Sequence, residues 1–480
     1  MQKNSVKTNY IYHVAYQSLT MLTPLITTPY ISRILQPDGI GAYSYTYTMV
    51  QYFILIGNLG FSTYGQIEVA KYNDDSKKCS QIFWEIFLLR TTIFLFCLVG
   101  YGGFIWCVKR YKKIYIILSI LLLSNVLDIS WLYFGFEDFK SVSIRNIAVK
   151  LISIVGIFLF IKKKGDVAAY ALVISLSTLA GSVVMWKGIC QKIQRPKWQE
   201  MRFKKHFKPA ISFFLPGIAS TIYTMVDKTM IGAITASAYE NGYYEQAHKI
   251  EQVAVQFVLS ISVVMRPKMA GLYQKGEKRK IEISLKQTIN FVFLITLPMC
   301  VGLCIIAPCL VNCFLGEKFK QCILLLRIFS LLIIIIGLSG CISNLYLSTG
   351  GHQKQHTTGT YIGATTNIIL NLILIPRVGA VGAAIASVLS ECVILFVFYR
   401  YSKQYFNIKM FAQPGIKYSL ITAVMAGVIF ICGKTLAENS LICTLTEIAV
   451  GAITYILILL IIRDEFVIKM ALQLKGKIKR

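Results

Sequence analysis

Charge is the first thing this chain has little of. Asp, Glu, Lys and Arg make up only 15% of its 480 residues, against about a quarter of an ordinary soluble chain. Acidic residues are the scarcer kind, 22 against 50 basic ones. With 55% hydrophobic residues and a mean hydropathy of +0.61, that scarcity excludes a soluble globular class. Long polar segments are missing too: no loop exceeds about 25 residues, which disfavours a membrane-bound polymerase or transferase with an external catalytic domain. Nucleotide and metal signatures are equally wanting. "GVIFICGKT" at 427–435 has one residue too many between its glycines for a phosphate loop, and "GLYQKGEK" at 271–278 has the right gap without the Gly-Lys-Ser/Thr ending. His352 and His356 lie four apart in "GGHQKQH" without the intervening Glu of a zinc helix. The 13 cysteines form no CxxC. Cys300, Cys304, Cys309 and Cys313 come closest to ligand spacing, but with no partnering histidine in an apolar run they read as core packing. No catalytic constellation, cofactor or metal is expected.

What the chain has instead is a succession of apolar runs of about 20 residues, each long enough to cross the hydrocarbon core as a helix. They fall near 10–32, 39–64, 82–106, 114–134, 142–161, 166–188, 208–233, 243–270, 287–313, 321–348, 356–376, 379–401, 415–434 and 441–462. The pattern predicts an all-α polytopic membrane protein of about 14 transmembrane helices. The first run is too long for a signal-peptide core and lacks a small-residue cleavage site, so it is expected to stay in the mature protein.

The net charge of +28 is explained by topology without nucleic acid. With both termini cytoplasmic, the basic stretches "KGICQKIQRPKWQEMRFKKHFK" at 187–208 and "RPKMAGLYQKGEKRK" at 266–280 lie on the cytoplasmic side, where they meet anionic membrane lipids. Two loops dissent, "KRYKK" at 109–113 and "KKK" at 162–164, which this topology puts outside.

The 187–208 stretch separates six runs from eight and prompts a search for a repeat. "GAYSYTYTMVQ" at 41–51 aligns without gaps to "GYYEQAHKIEQ" at 242–252, matching at the glycine, a tyrosine and the final glutamine. An offset of six spans leaves both copies in one orientation, so the repeat is parallel. The expected organisation is a six-helix lobe over 1–190, a basic cytoplasmic linker over 191–207, a second six-helix lobe over 208–402, and two extra helices with a basic tail over 403–480.

Charge inside the spans marks the functional candidates, because each such residue costs about 2.5–3.5 kcal/mol on insertion scales unless it faces a polar interior. Arg33, Arg90, Lys249 and Arg327 are the candidates for a substrate cavity, since guanidinium groups grip phosphate bidentately. Asp128, Asp227, Lys228 and Glu391 are the candidates for charge balance or ion coupling. Lys150 and Arg33 lie where they can snorkel, and Glu245 precedes Lys249 by four positions, the spacing of an intrahelical pair. Pro24, Pro29, Pro216, Pro298 and Pro308 fall in or beside spans, where proline frees carbonyls and bends helices.

The amino-terminal stretch "PLITTPYISRILQPDGIGAYSYTYTMVQYF" followed by "LGFSTYGQIEVA" resembles that of bacterial O-antigen and capsular polysaccharide flippases, within the superfamily of multidrug, oligosaccharidyl-lipid and polysaccharide exporters. "MVDKTMIG" at 225–232, "NGYYEQAHKI" at 241–250, "VMRPKMA" at 264–270 and the segment 348–391 continue the likeness. The resemblance implies alternating access by two six-helix lobes in the bacterial cytoplasmic membrane. The implied substrate is an undecaprenyl-diphosphate-linked oligosaccharide repeat unit, with polysaccharide polymerase and glycosyltransferases as partners and a proton or sodium gradient as the coupling source. "SRIL" at 32–35 is similar to the Ser-Arg-x-Leu-Gly of lipid II flippases, implying a cavity role for Arg33, although Gln36 stands where they have glycine. Cation-coupled multidrug exporters often carry a carboxylate in the first helix; residues 10–35 have none, which weighs against drug export. A cation-coupled multidrug exporter of the same superfamily nonetheless stays the first alternative, and a lipid II flippase the second.

Overall fold

The computed structural model describes residues 6–189, 193–194, 198–435 and 441–468; most of the basic tail expected at the C-terminus and residues 191–192 and 195–197 of the expected linker lie outside them. Every regular element among the described residues is helical. The described α-helices follow in order: α1 (Val6–Asn58), α2 (Phe61–Lys71), α3 (Ser76–Cys107), α4 (Lys112–Leu127), α5 (Ser130–Gly135), α6 (Phe139–Phe160), α7 (Val167–Val184), α8 (Lys204–Thr235), α9 (Ala238–Gln274), α10 (Lys278–Phe314), α11 (Cys322–Ile342), α12 (Gln353–Ser402), α13 (Ile408–Thr435) and α14 (Leu441–Ile461).

Among the described residues, ten helical stretches are long and apolar enough to cross a membrane, and the protein is a multi-pass membrane protein. Two long helices each cover two expected spans. α1 breaks at Gln36, where φ is 60° and ψ is 175°. Pro37 lacks an amide hydrogen and disfavours helical backbone at the preceding residue. α12 breaks at Val378 and Gly379, just after Pro376. In the opposite sense, α4 and α5 share one expected span, interrupted at Asp128, whose carboxylate accepts from the Ser130 amide at 3.1 Å and its hydroxyl at 2.9 Å. Helix starts follow ordinary capping: Asp75 accepts from the amides of Lys77 and Lys78, and Asp138 from that of Ser141.

The chain divides into two compact units, Met1–Gly242 and Tyr243–Arg480. In the first, α4 packs on α7, α1 on α6, and α2 on α3 and α5. α8, grouped with the second lobe in the sequence reading, packs here against α1 and α2. In the second unit, α10 lies against α11, α13 and α14, and α11 against α12. Many outward side chains, such as Phe96, Trp106, Leu420 and Ile461, are large and exposed, as expected where the solvent is hydrocarbon.

The two aligned segments meet at two helix starts within the first unit. Gly41 lies so close to α9 that a Cβ there would overlap the Ala238 carbonyl oxygen and sit 2.7 Å from the Gly242 amide nitrogen. Reciprocally, a Cβ on Gly242 would overlap the Pro37 carbonyl oxygen. Gly41 aligns with Gly242 and Pro37 with Ala238 at one and the same offset, so the contact is two-fold about itself. Each copy follows a non-glycine residue with positive φ, Gln36 at 60° and Ala236 at 51°.

Candidate functional site

In the first unit, Arg33 is exposed on α1, three residues before the break. Beyond the break lies a cavity of about 830 Å³ whose lining includes Asp38, Arg110, Tyr111, Lys164 and Tyr239. The two basic loops that dissented from the charge rule meet here. Lys164 pairs with Asp38 at 3.0 Å, and Arg110 donates to the Ala236 carbonyl at 2.6 Å while stacking over Tyr111. Of the eight candidate residues, none lines this cavity.

Arg90 has a different task. It is 1% exposed, and its guanidinium donates to Asn58 Oδ1 at 2.9 and 3.2 Å, to the Asn125 carbonyl at 2.7 Å and to the Asp128 carbonyl at 2.5 Å. Carbonyls at a helix C-terminus run short of amide partners; Arg90 donates to both, beside the Asp128 amide that reaches the Asn125 carbonyl at 3.3 Å, and ties them to the end of α1. The Asp128 side chain faces another cation, Arg145, at 3.3 Å. Asp227 is buried on α8 and its neighbour Lys228 is half-buried.

In the second unit, two sequence candidates turn out to be partners. Pro308 in α10 has no amide hydrogen to offer the carbonyl four residues back, and Arg327 Nε donates to that carbonyl, Cys304 O, at 3.3 Å. The rest of Arg327 is exposed. Pro298 is served in the same way: its orphaned carbonyl, Leu294 O, accepts from Tyr455 Oη at 2.9 Å. Tyr455→Phe removes that buried donor, and the purified protein is expected to lose about 1 kcal/mol of stability, read as a lower melting temperature with export retained. Lys249 pairs with Glu245 at 3.1 Å, as the i,i+4 spacing predicts.

Glu391 is 8% exposed and belongs to a buried polar cluster that sequence reasoning did not assemble. Tyr244, His248 and Glu251 follow one face of α9. Tyr244 Oη lies 3.3 Å from Ser387 Oγ, one turn before Glu391 on α12. His248 Nε2 is 3.9 Å from the carboxylate of Glu251. Glu251 is 2% exposed, and its carboxyl and that of Glu391 act on one another electrostatically. On the same long helix, Asn371 donates to Asn367 at 3.1 Å, both fully buried. The signal available in sequence was the helical spacing of Tyr244, His248 and Glu251 inside the repeat itself.

A second buried network was also missed. Glu85 accepts from Gln81, the Arg202 amide and Lys205, and contacts His206 Nε2 at 2.6 Å, while His206 Nδ1 lies 2.8 Å from Tyr64 Oη. It joins α2, α3 and the start of α8 and holds no nucleophile.

Comparison with known proteins gives these groups a setting. Residues 6–272 match the family model described as "Polysaccharide biosynthesis protein". The chain is 22% identical over 397 residues to the "Putative O-antigen transporter" of Escherichia coli (strain K12), covering 82% of this chain and 95% of that one. It is 26% identical over 327 residues to the "Probable low-salt glycan biosynthesis flippase Agl15" of Haloferax volcanii, 66% of each chain. Among solved structures, the fold matches the lipid II flippase MurJ in an inward closed conformation with a TM-score of 0.75 at 18% identity, over 95% of this chain and 99% of that one. It matches an inward-facing multidrug resistance transporter of the MATE family with a TM-score of 0.66 at 14% identity, over 82% and 97%.

Proposed function

The chain belongs to the polysaccharide biosynthesis protein family, and on that premise we propose that it is a flippase that carries lipid-linked oligosaccharide across the membrane by alternating access. It is a transporter and not an enzyme. The observation that carries this reading is the match through residues 6–272 together with relatives named for O-antigen transport and glycan flipping. The drug-exporter fold is shared at 14% identity, but residues 10–35 supply no carboxylate for the coupling that such exporters place there.

In this reading the substrate is an undecaprenyl-diphosphate-linked repeat unit, the location is the bacterial cytoplasmic membrane with both termini inside, and polymerase and glycosyltransferases work on either side of the step. Arg33, Lys249 and Arg327 are the cations assigned to the diphosphate. An exposed guanidinium within a span avoids hydrocarbon and favours a wet, anion-bearing surface. The coupling ion, a proton or sodium, is assigned to Glu251 and Glu391, because two buried carboxyls at close range favour a cation between them.

The test is leaflet-resolved. In spheroplasts of a deletion strain, lipid-linked repeat units are expected to be protected from an impermeant glycosidase or lectin, and to become accessible on complementation. Full accessibility without the protein would sink the flippase reading. Reversing Arg33 and Arg327 to glutamate should abolish export at unchanged protein level; normal export in both would remove them from the substrate path.

A further inference from the structure

Where α10 ends and α14 begins, three ligand-forming side chains converge in the second unit. Cys309 of α10 and Cys443 and Glu447 of α14 offer two sulfurs and a carboxylate oxygen that all lie within 4.8 Å of one another. They are 9%, 4% and 6% exposed. The i,i+4 spacing of Cys443 and Glu447 puts both on one face of α14, and Cys309 approaches from the neighbouring helix.

Two observations say that this is more than cysteine packing. Glu447 Oε2 is buried without a hydrogen-bond partner, a condition that costs a carboxyl group dearly unless a cation completes it. Room for that carboxylate is built in: a Cβ at position 433 of α13 would stand 2.6 Å from Glu447 Oε1, so Gly433 is what admits it. In addition, the Thr444 hydroxyl donates to Cys309 Sγ at 3.2 Å, the kind of supporting contact that orients a thiolate ligand.

We propose that Cys309, Cys443 and Glu447 form a zinc site that fastens α14 to α10. Two thiolates select a thiophilic d10 cation, and the carboxylate favours Zn²⁺ over Cu⁺. Tetrahedral zinc with Zn–S bonds of about 2.3 Å keeps its ligands roughly 3.8 Å apart, a separation within the observed spread. Cys432 lies near enough to Cys443 to act on it electrostatically; it or a water completes the fourth position. Binding releases the thiol protons to solvent and changes no oxidation state.

The experiment uses the full chain, purified in detergent without reductant, treated with chelator and titrated with Cd²⁺ as a spectroscopic stand-in and then with Zn²⁺. The expected result is one equivalent of Cd²⁺ with a sulfur-to-metal charge-transfer band, displaced by Zn²⁺, and a higher melting temperature with zinc bound. Cys309→Ser and Cys443→Ser should each abolish the band, whereas Cys300→Ser and Cys341→Ser leave it intact. Glu447→Gln, which preserves shape, should weaken Zn²⁺ binding at least tenfold. The proposal is overturned by no stoichiometric band, by a band that survives in the Cys309→Ser/Cys443→Ser double variant, or by a Cys309–Cys443 disulfide in the fresh protein.

Discussion

Replacing Gly41 with alanine is expected to lower export at least tenfold, and Gly242→Ala to do the same. Each new methyl group would overlap a backbone carbonyl oxygen, that of Ala238 or Pro37. Backbone cannot rotate away as a side chain end can, so the two helix starts must separate. Overpacking of this kind costs about 1–3 kcal/mol even where side chains can yield. Gly102→Ala and Gly103→Ala are the controls on α3, since nothing lies within 4 Å of a Cβ at either position. Surface polysaccharide per unit of membrane-inserted protein is the quantity to measure. Wild-type export in both Gly41→Ala and Gly242→Ala would show that the close approach is unnecessary. The reciprocal geometry adds a finer expectation: because each glycine meets the other copy's helix start, the double variant should be scarcely worse than either single one, as both force the same separation.

Arg90 supplies the second large effect, and it falls on folding before transport. Arg90→Met leaves the Asp128 carbonyl without the guanidinium donor and takes the charged donor from the Asn125 carbonyl and the Asn58 amide oxygen, which keep the Asp128 amide at 3.3 Å and the Ser62 hydroxyl at 3.5 Å. At about 1–3 kcal/mol for the abandoned carbonyl and about 1 kcal/mol for each weakened acceptor, the loss reaches about 3 kcal/mol. The expected outcome is a lower yield of monodisperse protein and a lower melting temperature by fluorescence-detected size exclusion. Arg90→Lys should recover only part of it, since one ammonium lacks the forked geometry that spans three acceptors. Arg33→Met, on an exposed position, is the contrasting variant: melting unchanged, export lost. Equal melting temperatures for Arg90→Met and wild type would return Arg90 to the list of substrate contacts.

These two residues show where sequence reading succeeds and where it stops. The spans were legible because a 20-residue apolar run has one workable structure in hydrocarbon, and the separation of the first two, 10–32 and 39–64, was legible from the interruption of the apolar pattern between them. The two glycines of the aligned segments were legible in sequence, and packing gives their reason, since two backbones in contact tolerate no Cβ. Charge was harder. An arginine in a span signals a polar partner, but the sequence does not say whether the partner is a ligand or a helix end. For Arg90 the partner is the end of α4, created by an interruption at Asp128 inside one continuous apolar run. Glu251 escaped notice for the opposite reason: its stretch, "GYYEQAHKIEQ", is polar enough that one more carboxylate looked unremarkable until α9 and α12 buried it beside Glu391. Pro308 and Arg327 were each singled out, but their pairing needed the packing of α11 on α10.

The break in α1 bears on how the protein is made. A straight helix of 53 residues would run about 80 Å at 1.5 Å per residue, far beyond the roughly 30 Å of hydrocarbon. Gln36 adopts backbone angles that non-glycine residues avoid, at a cost of about 1–3 kcal/mol, and such strain persists only where the surrounding structure holds it; Pro37 favours the break without dictating it, since Pro24 and Pro29 stand inside the same helix with no such break. The angle between the two spans is therefore expected to be set late in biogenesis, once α6 and α7, which pack against α1, have been inserted.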